Sequence, residues 1–428
     1  MKKLLVLAFW MPPILLPRSI QVARTLNSLA VEEGWTVTLV TADLGSMRYP
    51  GFVDTSLWNL YPASQVAGRY DVPLWPEDEG VLAFWRRRRM GRQLVAQPPM
   101  EVWRKRATPL LTSLAERGDY AAMISFAAPW EDHEIAMDVA KATGIPWLAH
   151  FADPWVDNPF LKKSDPARMA ALAPVERKVI ERADRVIFVS DSTRDLVMGK
   201  YPAEWAGKAD VVPHGYDLAA LNRLPPPPPR RGRRLRLVYT GNFYGDRNAD
   251  LLLEALALLK ATPEIIARLD IRLVGAADRS ARLRAAELGV DGEVTFIGQM
   301  EYMDSMYEGL AADALLVIDA PMEASPFLPS KLIDYLPLRR PILGVVPADG
   351  ESAKLLRRLE CPVVSAMTPE AVAESLRDLI LLSDGEGLAV SSAFLRVAEE
   401  FCIKRTVRGL SLAIENAIRT REFVGGRI

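Results

Sequence analysis

Short uninterrupted apolar runs alternate with longer amphipathic stretches along this chain. A short apolar run bounded by turn residues reads as a buried strand, and apolar residues spaced at helical period read as one face of a helix. Residues 4–9 fit the first pattern and residues 18–31 the second; Gly34 supplies a helix stop, and residues 35–41 return to strand, completing a βαβ unit. Further on, residues 121–126 read as strand, 131–143 as a helix closed by Gly144, 147–151 as strand, and 185–189 as strand after a helix ending near Ala183. Val211 and Val212 lead into PHGYD, residues 213–217. A second series places strands at 235–240, 271–275, 294–298, 314–318 and 341–346. Such alternation implies parallel sheets covered on both faces, so the expected fold class is α/β with two doubly wound, Rossmann-like domains facing across a cleft. Residues 391–420 look helical without intervening strands and are expected to pack across both domains.

At 428 residues the chain exceeds one ordinary hydrophobic core, which also points to two domains. Residues 225–229 are prolines, followed by Arg230, Arg231, Gly232, Arg233 and Arg234. Polyproline resists helix and sheet and forms a semi-rigid spacer, placing the linker at 225–234 between domains 1–224 and 235–390, with C-terminal helices at 391–428. The apolar fraction of 50% and charged fraction of 25% are ordinary for a globular protein. A formal net charge of −1 provides no global field for nucleic acid. Cys361 and Cys402 lack metal-ligand spacing, which argues against a disulfide scaffold or zinc site and fits a reducing cytoplasm. The N-terminal basic tip and apolar run imitate a signal peptide, but Pro12 and Pro13 interrupt it. No segment reaches the ~18 uninterrupted apolar residues of a membrane span.

In doubly wound folds ligands bind beyond the carboxyl ends of the strands, so chemistry belongs in the loops that follow them. The segment PMEASPFLPSKLIDYLPLRRPILG, residues 321–344, carries Ser325 and then Pro329, Ser330, Lys331 and Asp334. Pro329 restricts the backbone before Ser330, a capping residue, so Lys331 enters the first helical turn with Asp334 one turn on. Free N–H groups at a helix start and a lysine suit a diphosphate, and a carboxylate one turn later can accept from ribose hydroxyls. The alternative is a surface ion pair worth a few tenths of a kcal/mol. After the strand at 235–240, Gly241 permits close backbone approach, and Asn242 and Arg247 can reach an anion. After 294–298, Gly298, Gln299 and Met300 could present backbone groups to a base edge, or form an ordinary turn. No Asp-x-Asp pair occurs, so a divalent ion bridging a diphosphate has no evident ligands, and neither metal nor other cofactor is expected.

Taken in order, PRSIQVARTL, ISFAAPWEDHEIAMDVAKATGIPWLAHFADPW, VIFVSDSTRDL, VVPHGYD, LVYTGNFYGDRNADLLLEAL, TFIGQM and SPFLPSKLIDYLPLRRPIL resemble the retaining nucleotide-sugar glycosyltransferases of family 4, which have the GT-B fold. The resemblance covers most of the chain and implies a donor-binding second domain and an acceptor-binding first domain. Asp334 occupies the position of the family's ribose-binding carboxylate, while the earlier glutamate of its Glu-x7-Glu motif falls at Pro326. Many relatives carry the proline-serine-lysine version seen at Pro329, Ser330 and Lys331. The family's phosphate-binding Arg and Lys align with Asn242 and Asn248, so Arg247 is the expected replacement, acting with Lys331 on the departing diphosphate. In the first domain Asp153 is retained in the sequence Ala152–Asp153–Pro154–Trp155 without its basic neighbour, and His133 or His150 could assist the acceptor hydroxyl. The resemblance implies a metal-independent reaction in which the leaving phosphate takes the acceptor proton.

Between residues 81 and 106, Arg86, Arg87, Arg88 and Arg89, then Arg104, Lys105 and Arg106, alternate with Phe84, Trp85 and Trp103. Aromatic residues beside cations suit an anionic membrane surface, at about 1 kcal/mol per cation, and a solvated helix face is the alternative. Membrane contact would imply a lipid-linked saccharide acceptor at the cytoplasmic leaflet. Two other functions are compatible with a nucleotide-sugar site: an epimerase with the same fold, and a non-catalytic sugar-nucleotide-binding protein.

Overall fold

The computed structural model describes residues 2–44, 53–62, 67–74, 100–228, 234–275, 279–384 and 388–425. The chain divides into two compact units, Met1–Gly215 with Ile403–Ile428, and Tyr216–Cys402. The first holds a seven-stranded sheet of β1 (Lys3–Leu7), β2 (Thr36–Ala42), β3 (Gly68–Val72), β4 (Tyr120–Phe126), β5 (Trp147–Phe151), β6 (Arg185–Phe188) and β7 (Ala209–Val211), in the order β3-β2-β1-β4-β5-β6-β7. All its pairings are parallel. Leu4, Leu5, Val6 and Leu7 are fully buried, as a strand covered on both faces requires. Chain direction across the sheet reverses between β1 and β4, which makes their carboxyl ends the switch point of this unit.

Helix Pro17–Glu33 starts with proline in its first turn and stops at Gly34, whose φ of 70° is left-handed. Helix Glu131–Thr143 ends the same way at Gly144, φ 74°. β3 has no counterpart among the strands expected from the apolar pattern, because this edge strand, GRYDV, is mostly polar and buries only Val72; pairing with β2 decides it.

The second unit holds a five-stranded parallel sheet of β8 (Leu235–Thr240), β9 (Leu269–Val274), β10 (Val294–Gly298), β11 (Ala314–Ile318) and β13 (Ile342–Val345), ordered β10-β9-β8-β11-β13. Its switch point lies between β8 and β11. A separate two-stranded ribbon joins β12 (Ala324–Ser325) to β14 (Asp349–Gly350).

Two expectations about organisation are corrected. The division falls at Gly215/Tyr216 and Cys402/Ile403, and the prolines at 225–228 lie inside the second unit. Close backbone contact marks the crossing: a Cβ on Gly215 would come within 2.7 Å of Ile403 Cα, while Tyr216 N–H donates to Phe401 O (2.9 Å). The C-terminal helices are shared out, helix Ser392–Glu400 belonging to the second unit and helix Ile403–Gly425 to the first. The latter packs on Pro17–Glu33, and Trp35 Nε1 donates to Ser411 Oγ (2.9 Å).

Arg86, Arg87, Arg88 and Arg89 lie outside the described residues. Trp103, expected beside them at a membrane surface, is fully buried in helix Met100–Arg117, and Arg104 pairs with Glu134 (2.9 Å) and Asp138 (2.8 Å). Its apolar ring faces the core because the helix packs on Glu131–Thr143. Among the described residues no helix is long and apolar enough to cross a membrane.

Candidate functional site

At the carboxyl ends of β8, β9 and β10 the chain turns through Gly241, Gly275 and Gly298, with φ of 134°, 127° and 91°. Gly241 N–H donates to Val274 O and Gly275 N–H to Gly298 O, each 2.8 Å, so the three turns form one backbone ledge. A Cβ on Gly275 would lie 2.2 Å from Gly241 O, and one on Gly241 would lie 2.6 Å from Lys331 Nζ. Backbone conformation favours glycine at all three positions, and at Gly275 the lack of space requires it as well.

Lys331 therefore reaches from helix Ser330–Tyr335 to the ledge. Its Nζ donates to Tyr239 Oη (2.5 Å) and lies 3.8 Å from the centroid of that ring, which stacks on Phe243 at 4.6 Å. Among the described residues Lys331 has no ion pair. Burial holds its pKa well below the ordinary lysine value, with Arg247 adding repulsion and Asp319 opposing it. The helix itself is pinned to β8, because Thr240 N–H donates to Tyr335 Oη (2.8 Å).

Arg247 does not point an unpaired guanidinium at this ledge. It is 7% exposed; Nε (3.1 Å) and Nη2 (2.6 Å) both donate to Asp319 Oδ1, and Nη1 donates to Tyr244 Oη (2.7 Å). Asp319, at the end of β11 and 1% exposed, also accepts from Ser325 Oγ (2.9 Å) and Ala320 N–H (2.9 Å). Ser325 is thus a buried tie from the β12 loop to β11, and Arg247 a tie from the β8 loop to the same carboxylate. A buried guanidinium needs a carboxylate, and Asp319 provides it, so any contact of Arg247 with a donor phosphate would be made by an already paired guanidinium. Ser330 is the first helical residue and not the cap; Pro329 holds that place, with no side-chain cap. Asp334 is half-buried on the same short helix, and Asn242 and Gln299 are exposed beside Gly241 and Gly298. Met300 packs its side chain against the apolar cluster of Tyr335 and Leu336.

In the first unit His133 is fully enclosed. Its Nδ1 lies 2.8 Å from Ser125 Oγ, its ring packs 4.7 Å from Phe151, and burial pushes its pKa down to about 3. That burial removes it from the acceptor-facing role expected of it. Neighbouring Asp132 is also fully buried, accepting from Phe9 N–H (2.9 Å) and Trp103 Nε1 (2.7 Å), with its pKa raised to about 8 chiefly by burial. Asp153 is exposed in the loop after β5. His150 and His214 stack at 6.1 Å, both held neutral chiefly by burial.

Residues 20–215 match a sequence profile described as glycosyl transferase 4-like domain. No curated protein matches the chain by sequence. Among solved structures, Anabaena Alr3699/HepE in complex with UDP and glucose aligns over 97% of this chain and 100% of its own, with a TM-score of 0.66 and 11% identity. WaaG, a glycosyltransferase involved in lipopolysaccharide biosynthesis, aligns over 99% of this chain and 100% of its own, TM-score 0.56, 15% identity. UDP-GlcNAc 2-epimerase from Neisseria meningitidis aligns over 96% of this chain and 99% of its own, TM-score 0.56, 11% identity. At these identities the likeness concerns the fold, and the fold is GT-B, with two parallel-sheet α/β domains.

Within this GT-B chain the structure brings Gly241 and Lys331 into contact and places Gly298 on the same ledge. It does not bring His133 to any surface. Sequence reading missed Gly275, Tyr239 and Asp319. Gly275 had a signal, a glycine ending an apolar strand as Gly241 does; Asp319 had only its place after β11, and Tyr239 none, since a strand tyrosine reads as core.

Proposed function

We propose that this chain transfers a sugar from a nucleotide diphosphate sugar to a saccharide or lipid-linked acceptor, with retention of anomeric configuration. The observation that carries it is Lys331: an amine without a counter-ion among the described residues, set against the glycine ledge at the ends of β8 to β10. A diphosphate supplies the missing negative charge, and the ledge lets it approach the backbone closely. HepE, the similar fold, is named in complex with UDP-glucose, which favours a UDP-sugar as the first donor to test. Asp334 would accept from the ribose, and the exposed Asn242 and Gln299 would line the rest of the donor site.

In the reaction the sugar C1–O bond to the phosphate breaks as a bond forms from C1 to the acceptor oxygen on the same face. The acceptor proton passes to the departing phosphate oxygen, so no protein base is required, and Lys331 stabilises the charge that appears on the diphosphate. Asp153 would orient the acceptor. A metal-independent reaction is part of this reading, on the ground that the sequence holds no Asp-x-Asp pair to bind an ion bridging the diphosphate. Work at the cytoplasmic face, in surface polysaccharide or glycolipid synthesis, fits this chemistry.

The test is a panel of UDP-, GDP-, ADP- and TDP-sugars scored for binding, then for nucleotide release with and without acceptors in the presence of EDTA, with the product anomer read by NMR. An inverted product ends the retaining reading. The epimerase likeness gives the second reading: sugar isomerisation without net nucleotide release on adding acceptors.

A further inference from the structure

Arg18 opens helix Pro17–Glu33 directly after the β1 loop, at the β1/β4 switch point of the first unit. Leu16, the residue before the helix, is extended and offers no side-chain cap. The guanidinium lies over the carboxyl ends of β4 and β5: its carbon is 5.5 Å from the Phe126 ring, and Nη2 lies 3.3 Å from His150 O and 3.4 Å from His150 Nδ1. Charge-assisted bonds are shorter, about 2.7–2.9 Å, so both contacts are weak and readily exchanged. The Nε and Nη1 donors are buried and have no partner among the described residues, and the same holds for Oγ of the fully buried Ser19 next to it.

The groups around Arg18 do not neutralise it. Among the described residues it forms no ion pair, although Asp132 and Asp153 lie within electrostatic reach. The Asp132 oxygens are occupied by Phe9 N–H and Trp103 Nε1, and its pKa of about 8 leaves it largely protonated at neutral pH. His133, His150 and His214 are all held neutral, in each case by burial first and by the Arg18 charge second. A half-buried guanidinium with two enclosed donors left idle is costly in free energy and calls for an explanation. An anion is the one that fits, because it would satisfy the donors and relieve the repulsion on the imidazoles together.

We propose that Arg18 is the receptor for an oxyanion, a phosphate or carboxylate, carried by the acceptor close to its reacting hydroxyl. The acceptor assignment rests on the glycosyl-transfer reading, in which Lys331 on the other unit serves the donor diphosphate. An acidic saccharide or a saccharide phosphate is then the acceptor class.

The chain has only three histidines, so imidazole proton NMR reports on this site directly. Inorganic phosphate and, separately, acetate are titrated into the full-length protein, first alone and then saturated with a nucleotide diphosphate. The expected result is saturable movement of the His150 and His214 signals, unaffected by nucleotide, with the Kd raised at least ~10-fold in Arg18→Gln. Arg18→Lys, which keeps the charge and loses the fork, shows intermediate weakening and guards against misfolding of the first variant. Absence of movement in the wild-type protein, or equal movement in Arg18→Gln, overturns the anion site. Displacement of phosphate by nucleotide overturns the acceptor assignment, because the anion would then belong to the donor. Donor binding through Lys331 is measured separately in wild type and Lys331→Ala, so failure of the glycosyl-transfer reading is distinguishable from failure of this site.

Discussion

Lys331 and Asp319 show how differently two charged residues can be used at one end of a sheet. Lys331 has a hydroxyl and a ring face for company, and its pKa is held down chiefly by burial. A bound diphosphate favours the ammonium, so donor binding takes up a proton, and affinity declines as pH rises from the free-protein pKa of Lys331 to its higher bound value. Calorimetry in buffers of different ionisation enthalpy should detect that proton, and Lys331→Met should abolish it. Lys331→Ala should weaken donor binding roughly 10- to 100-fold, as expected for loss of a charged hydrogen bond of about 1.5–3 kcal/mol, without lowering Tm. Asp319 is the reverse case. Its carboxylate holds Arg247 and Ser325, so Asp319→Ala leaves a buried guanidinium unpaired and should cost about 3–5 kcal/mol of second-unit stability, read as a drop in denaturant midpoint. If Lys331→Ala lowers stability and Asp319→Ala does not, the roles assigned here are exchanged.

Elements were legible wherever one local signal sufficed. The helix Glu131–Thr143 and the strands β5, β8, β10 and β11 sit where apolar runs and turn residues place them. Gly34 and Gly144 mark helix ends because only glycine enters the left-handed region without steric cost. A Cβ at Gly144 meets nothing within 4 Å, so Gly144→Ala isolates the backbone term and should destabilise the first unit by about 1–2 kcal/mol in chemical denaturation. β3 was illegible because an exposed edge strand needs no apolar run, and the β12–β14 ribbon because two residues carry no pattern. The glycine ledge was half legible: Gly241 and Gly298 stood out, but the hydrogen bonds that join them through Gly275 form between strands distant in sequence.

For the whole molecule, the chain leaves the first unit at Gly215 and returns at Ile403, so its last helix completes a domain begun at its first strand. A chain truncated after Cys402 loses helix Ile403–Gly425 and exposes the apolar side of Pro17–Glu33 and the Trp35 contact to Ser411. The first unit should then melt at markedly lower temperature while donor binding by the second unit persists. Calorimetry with and without nucleotide checks this, and loss of donor affinity in the truncated chain would count against two separable units. The polyproline run drew the boundary to 225–234 because composition reports local stiffness, whereas a domain boundary is a property of contacts.

The α/β class, the two parallel sheets, most strand positions and the Pro329–Ser330–Lys331 segment follow from the chain alone, because each depends on residues near one another in sequence. Folding decided what those residues face. It buried His133, paired Arg247 with Asp319, left Lys331 without a counter-ion among the described residues, and set Arg18 over the ends of β4 and β5. Charge state and availability depend on desolvation and on partners brought from distant segments, and no local pattern encodes either.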